Sequence, residues 1–282
     1  VKIFCPLPEK IMLPARIGFS NYINENEIQQ GLAAEAYERN FSVTFRHMED
    51  VGDALVLRRQ LEVITGIADA VVFIGPQFAR LRDLIFERAI PAVIIEPNPL
   101  SRQELIPSVS YDRGKAFADL SARILATGCR TFDFLYMKND SVAAQMDVDY
   151  RMKLLEDHLT RAGVEVSYRA LPYSDQVQPE LLCELERVIG AAPRPDAVCC
   201  THFPVITAVQ YLATAKQWGL GETFHVFGLT GGGIFSLAYP PVLYWRVPCF
   251  ELGRLASEML CDRVAHGKVL ESVMIEGFVE DG

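Results

Sequence analysis

The residues of this chain best suited to nucleophilic or metal chemistry are its histidines and cysteines. The five histidines are His47, His158, His202, His225 and His266. None stands at metal-ligand spacing from another histidine or from a cysteine pair, so no metal site is expected. None has an obvious nucleophile beside it either. The seven cysteines include no pair spaced as CxxC, and Cys199 and Cys200 are adjacent inside an apolar run. Gly231-Gly232-Gly233 suggests a phosphate cradle, but it lacks the Lys/Ser context that opens a helix over a phosphate, and a turn is the simpler reading. No GxGxxG following a strand, GxxxxGK[ST], GxSxG or HExxH is present. The residues therefore predict no catalytic group and no cofactor.

A second set of side chains suits hydrogen bonding and stacking against a polar ligand. Phe19, Ser20, Asn21 and Tyr22 combine aromatic and hydrogen-bonding groups in the segment Ile17–Asn26, read here as a loop. Gln77 and Phe78 follow one apolar strand pattern, and His202 and Phe203 follow another. Trp245 can stack on a ligand or pack where the chain crosses between lobes. Packed loops and core aromatics are the plain alternatives at each of these places.

The elements that must position these residues alternate strand and helix. Apolar or alternating runs at Val1–Pro6, Ser42–Met48, Ala70–Ile74, Pro91–Ile95 and Val109–Tyr111 are interleaved with helical patterns at Glu25–Asn40, Asp53–Thr65 and Phe78–Arg88. Asp112 is a suitable N-cap for the helix that runs on to Thr127. A second series begins at Phe132–Tyr136. It continues through the helix Val148–Ala162, the strand Val166–Ala170, the helix Pro179–Gly190, the strand Ala197–Cys200, the helix Val205–Trp218 and the strand Phe224–Gly228. Val242–Val247, a helix over Phe250–Ala265 and one last strand over Val273–Val279 complete it. Apolar strands alternating with helices make parallel sheets covered on both faces. Two such series predict an α/β protein of two doubly wound parallel-sheet lobes. Ligands of such sheets bind outside the carboxyl ends of the strands, which places the expected site in the cleft between the lobes.

The 282 residues are ample for two lobes, and half of them are hydrophobic. The net charge of −9, with no Lys/Arg cluster, argues against direct binding of nucleic acid. An odd number of cysteines fits a reducing compartment, hence the cytoplasm. No apolar run reaches the roughly 20 residues of a membrane helix, and no signal-peptide pattern opens the chain.

The second half carries a more specific pattern. Val226-Phe227-Gly228-Leu229-Thr230, followed by Tyr239-Pro240-Pro241-Val242-Leu243-Tyr244-Trp245, resembles a signature of the LacI/GalR family of transcriptional regulators. Gly253, Ala256, Leu260 and Gly267 follow in the family's order. Arg151 ahead of Gly163, Val109-Ser110-Tyr111-Asp112, Pro91–Glu96 and Gly31 match further positions. The resemblance runs along nearly the whole chain.

It implies a periplasmic-binding-protein-like type I fold with a multi-strand hinge. Residues 1–127 with 246–276 would form the N-terminal lobe, and 128–245 with 277–282 the C-terminal lobe. It implies an effector, a saccharide or a nucleoside-like molecule, bound in the cleft. It also implies a homodimer that reaches operator DNA only through a helix-turn-helix domain outside this chain, with no membrane partner. By the resemblance Arg151 reaches effector oxygens with its guanidinium fork; the alternative is a surface arginine near a helix start. Asp112 lines the cleft, caps its helix, or does both. His202 and Phe203 replace the family's Asn-Asp pair. Thr230 replaces an effector-binding Asp, and an uncharged hydroxyl cannot clamp two sugar hydroxyls as a carboxylate does. The competing expectation on the same fold is a periplasmic sugar-binding protein of an ABC transporter, which predicts a monomer with an export signal.

Overall fold

A computed structural model describes residues 2–8, 19–48, 54–74, 85, 87, 89–95, 106–137, 142–172, 177–190, 193–229 and 242–281. These form two six-stranded sheets and seven helices. By internal contacts the chain divides into two compact units. Past the first helix, it passes from one to the other after Tyr111, after Val247 and after Ile275.

The first unit holds β1 (Lys2–Pro8), α1 (Phe19–Glu38, from Glu25 onward), β2 (Ser42–Met48), α2 (Ala54–Thr65), β3 (Ala70–Ile74), β4 (Ala92–Ile95) and β5 (Ser108–Tyr111). It also takes the late helix α7 (Cys249–His266) and the strand β11 (Val273–Ile275). Its strands lie in the order β11-β5-β4-β3-β1-β2, all parallel. Every residue of β3 and β4 is buried, as expected for central strands covered on both faces. Helix α7 lies on β3, β4 and β5, burying Leu252, Ala256 and Leu260.

Helices α1 and α7 touch backbone to backbone. A Cβ at Gly31 would collide with the carbonyl oxygen of Phe250, and a Cβ at Gly253 with that of Ile28. Just beyond this contact an ion network ties the same two helices. Glu35, whose side chain is only 9% exposed, meets Arg39 and also lies 3.5 Å from Arg254. Arg39 reaches Asp262 at 2.6 Å, and Arg254 reaches Glu251 at 2.7 Å and Glu258 at 3.0 Å.

The second unit holds α3 (Arg113–Ala126), β6 (Thr131–Met137), α4 (Val142–Arg161), β7 (Glu165–Leu171), α5 (Pro179–Ile189), β8 (Ala197–Cys200), α6 (Phe203–Ala215), β9 (His225–Gly228), β10 (Leu243–Arg246) and β12 (Phe278–Asp281). Its strand order is β12-β10-β9-β8-β6-β7, parallel except that β12 runs antiparallel to β10. Leu135, Val198, Cys200, Val205, Ile206, Val209 and Tyr244 are among the buried side chains of its core. Among the described residues no helix is long and apolar enough to cross a membrane.

The α/β, doubly wound reading of the sequence agrees with this architecture, and four details differ. Helix α1 begins at Phe19, so Phe19–Asn26 is helical and not a loop. Ser20, Asn21 and Asn24 read as turn formers in sequence, but near a helix start they cost little. Helix α4 begins at Val142, which sets Arg151 well inside the helix rather than near its start. The last strand is two strands in two sheets, β11 and β12, separated by Glu276-Gly277.

Finally, α3 belongs to the second unit, whereas the sequence reading placed residues up to 127 in the first. Its apolar stripe of Phe117, Leu120 and Ile124 packs in the second unit, where α3 adjoins α4, β10 and β12. The expected helix over Phe78–Arg88 and the N-cap Asp53 lie almost wholly outside the described residues.

Candidate ligand site at the carboxyl ends of the second sheet

In the second unit β6, β8 and β9 are parallel neighbours, so Met137, Cys200 and Gly228 end at one edge of the sheet. The chain leaving β8 turns directly into α6. His202 occupies the N-cap position in extended backbone (φ −136°, ψ 143°), and Pro204 stands in the first turn, where its missing N–H costs nothing. The His202 side chain makes no capping bond. Its Nδ1 lies instead 2.7 Å from the hydroxyl of Thr201. Thr201 is itself anchored by its backbone N–H, which donates to the carbonyl of Leu135 on β6 at 3.1 Å. Phe203 is half-buried and packs against the core beneath. His202 and Phe203 thus stand together at the carboxyl edge, as the sequence reading expects of residues that follow a strand. Thr201 was missed, because a threonine before a histidine carries no sequence signal of its own.

Asp112 stands where β5 gives way to α3. Its backbone is extended (φ −71°, ψ 92°) and its Oδ1 accepts from the backbone N–H of Lys115 at 2.9 Å. The capping role is therefore present, and the residue remains only half-buried. Lys115 in turn reaches Glu276 at 3.2 Å and Asp119 at 3.5 Å. A surface cavity of about 440 Å³ lies along this face, lined among others by Lys115, Asp119, Arg123 and Glu276. Its charges are paired in sign, unlike a site built for one ion.

Arg151 is half-buried on α4. Helices α3 and α4 pack directly on each other, so the fold brings the helix that Asp112 caps against the helix that carries Arg151. Trp245 is fully buried, its ring centroid 5.2 Å from that of Phe117. That is the geometry of a packed core aromatic, the second of the two roles open to it. Ser20 and Tyr22 fall in the first turns of α1. Gln77, Phe78 and Thr230 lie outside the described residues.

Burial pushes the thiols of Cys199 and Cys200 well above the usual range, so neither is a thiolate at neutral pH. Among the described residues no cluster of three His, Cys, Asp or Glu could hold a metal ion.

Two six-stranded, doubly wound units of this topology define a periplasmic-binding-protein-like type I fold. No protein-family model matches the chain, and a search of curated proteins finds no match. Solved structures match over the full length.

A LacI family transcriptional regulator from Bifidobacterium animalis subsp. lactis superposes with a TM-score of 0.77 at 18% identity, covering 99% of this chain and 95% of that one. The transcriptional regulator CelR in complex with cellobiose gives 0.73 at 20% identity, covering 100% and 83%. A LacI family transcriptional regulator from Enterococcus faecium with bound ribose gives 0.73 at 15% identity, covering 99% and 97%. All three are described as transcriptional regulators. At such identities the likeness establishes the fold.

Proposed function

We propose that this chain is the effector-sensing module of a LacI-type bacterial transcriptional regulator. It binds a saccharide or related small polar metabolite at the carboxyl ends of its strands and has no catalytic activity. The observation that carries this reading is the match of the whole chain to regulators, two of them in complex with a sugar. In the second unit Asp112, Arg151, His202 and Phe203 are the residues assigned to the ligand. A carboxylate and a guanidinium suit paired hydroxyls or a carboxyl group, an aromatic ring suits a sugar face, and an imidazole supplies one further hydrogen bond. Ser20, Tyr22, Gln77, Phe78 and Thr230 complete the assignment.

In this reading the protein works as a cytoplasmic homodimer. Effector binding favours one of two conformations in proportion to its differential affinity for them. That shift alters DNA binding by a helix-turn-helix segment outside this chain. The alternative, a transporter's periplasmic sugar receptor, shares the fold. The free thiols of Cys129, Cys183, Cys199, Cys200, Cys249 and Cys261 support a reducing compartment and so the regulator.

The test is a thermal-shift screen over mono- and disaccharides, sugar phosphates and nucleosides, with sedimentation to establish the oligomeric state. A saturable rise in Tm for one compound class, on a dimer, supports the proposal. A monomer that binds sugar supports the transporter reading. No response to any compound, with the protein folded, contradicts both.

A further inference from the structure

At each of the three places past α1 where the chain passes between its two units, a residue on the second unit's side contributes to one contact. Phe117 follows the passage after Tyr111, Trp245 precedes the passage after Val247, and Gly277 follows the passage after Ile275. The indole of Trp245 is fully buried, and the ring of Phe117 lies against it at 5.2 Å, tilted by 44°. Gly277 also lies against the indole, so close that a Cβ there would stand 2.9 Å from Nε1, 3.1 Å from Cζ2 and 3.2 Å from Cε2. The strand continues from this contact into β12, where Val279 pairs with Trp245 and Phe278 with Arg246. Lys115, on the same turn of α3 that Asp112 caps, reaches Glu276 beside that glycine. Both of those side chains are largely exposed, so the ion pair adds little by itself.

We propose that Trp245 is a coupling plate, a rigid ring that makes the three passages of the second unit move as one body. A shift at Asp112–Phe117 is then carried by the ring to the end of β10 and to Glu276-Gly277, because a close-packed interior transmits displacement instead of absorbing it. The coupling is a property of this unit alone. Only its trigger, a ligand at Asp112, rests on the proposed function, so the test uses no ligand.

Hydrogen exchange read by mass spectrometry is compared for the unmodified chain, W245F, G277A and F132L. Phe132 is a fully buried residue of the same unit that meets Phe134 edge-on and stacks on Phe227. The expected result is that W245F and G277A each speed exchange in residues 112–118, 243–247 and 276–281 together, by about tenfold or more. Exchange in β3 and β4 stays unchanged. F132L instead speeds exchange in β6, β8 and β9. If W245F changes only β10, or F132L speeds the same three segments to the same degree, the proposal is overturned. G277A decides alone if W245F does not fold.

Discussion

The hydroxyl of Thr201 lies 2.7 Å from Nδ1 of His202, at the carboxyl end of β8. The imidazole is thereby held on one side by a residue whose backbone is anchored to Leu135. If His202 meets the effector, Thr201 orients it without touching the ligand. T201V is expected to weaken effector binding about three- to tenfold, the loss of one ordinary hydrogen bond, while T201S retains it. Calorimetric titration of both variants with the compound found by thermal shift checks this. Equal affinity in T201V and the unmodified protein would remove His202 from the site.

Asp112 combines a demonstrated role with a proposed one, and two substitutions separate them. Asn caps a helix as well as Asp, whereas Ala does not, at about 1 kcal/mol. D112A should therefore lose stability to urea and D112N should not. Both should lose effector affinity if the carboxylate itself meets the ligand. Unchanged affinity in D112N would leave capping as the residue's whole contribution.

The meeting of Gly31 with the backbone near Phe250, and of Gly253 with that near Ile28, predicts the cost of a methyl group there. Each obstacle is backbone, so the helices must separate. G31A and G253A should each destabilise the first unit by about 1–3 kcal/mol. Because the two helices separate once, the double variant should cost less than the sum of the single ones. Urea unfolding followed by circular dichroism measures all three. Strict additivity would mean that the two glycines sit at independent contacts.

Two carboxylates predict the response to acid. The backbone N–H groups of Arg130 and Thr131 hold Asp196 below the usual carboxylate range, at 2.8 and 3.0 Å. Lys268 and Arg39 do the same for Asp262. A lowered folded-state pKa means that the native state binds fewer protons than the unfolded chain, so stability rises with pH across that window. The contribution is complete above the unfolded value of about 3.9 and is lost as pH falls through the folded value. D196N should lower stability at pH 7 and flatten the fall in stability below about pH 4. Urea midpoints from pH 3 to 7 give the comparison, and parallel curves for D196N and the unmodified chain would contradict it.

The fold was legible because its central strands have only one reading. β3, β4 and β8 are short apolar runs buried along their whole length. The helix that begins after Asp112 was legible through its cap, but its unit was not. Which unit α3 joins depends on Phe117 meeting Trp245, a pairing across more than a hundred residues that no local pattern reveals. The split of the last strand has the same origin, since Gly277 is placed by the indole it passes. At α1 local turn propensity pointed to a loop, and the helix that packs on α7 overrode it. Of the candidate site, the strand-end residues His202 and Phe203 followed from topology alone. Arg151 and Asp112 came from resemblance, and α3 packed on α4 now relates them.

Arg151, half-buried on α4, is the residue proposed to meet a small polar effector with its guanidinium. Isothermal titration of the unmodified chain and R151A, with the compound that raises Tm most, tests it directly. Saturable binding to the unmodified chain is expected. R151A should bind about ten- to a hundredfold more weakly, the worth of a charged hydrogen bond, with its unfolding midpoint retained. An unchanged Kd in R151A would contradict it.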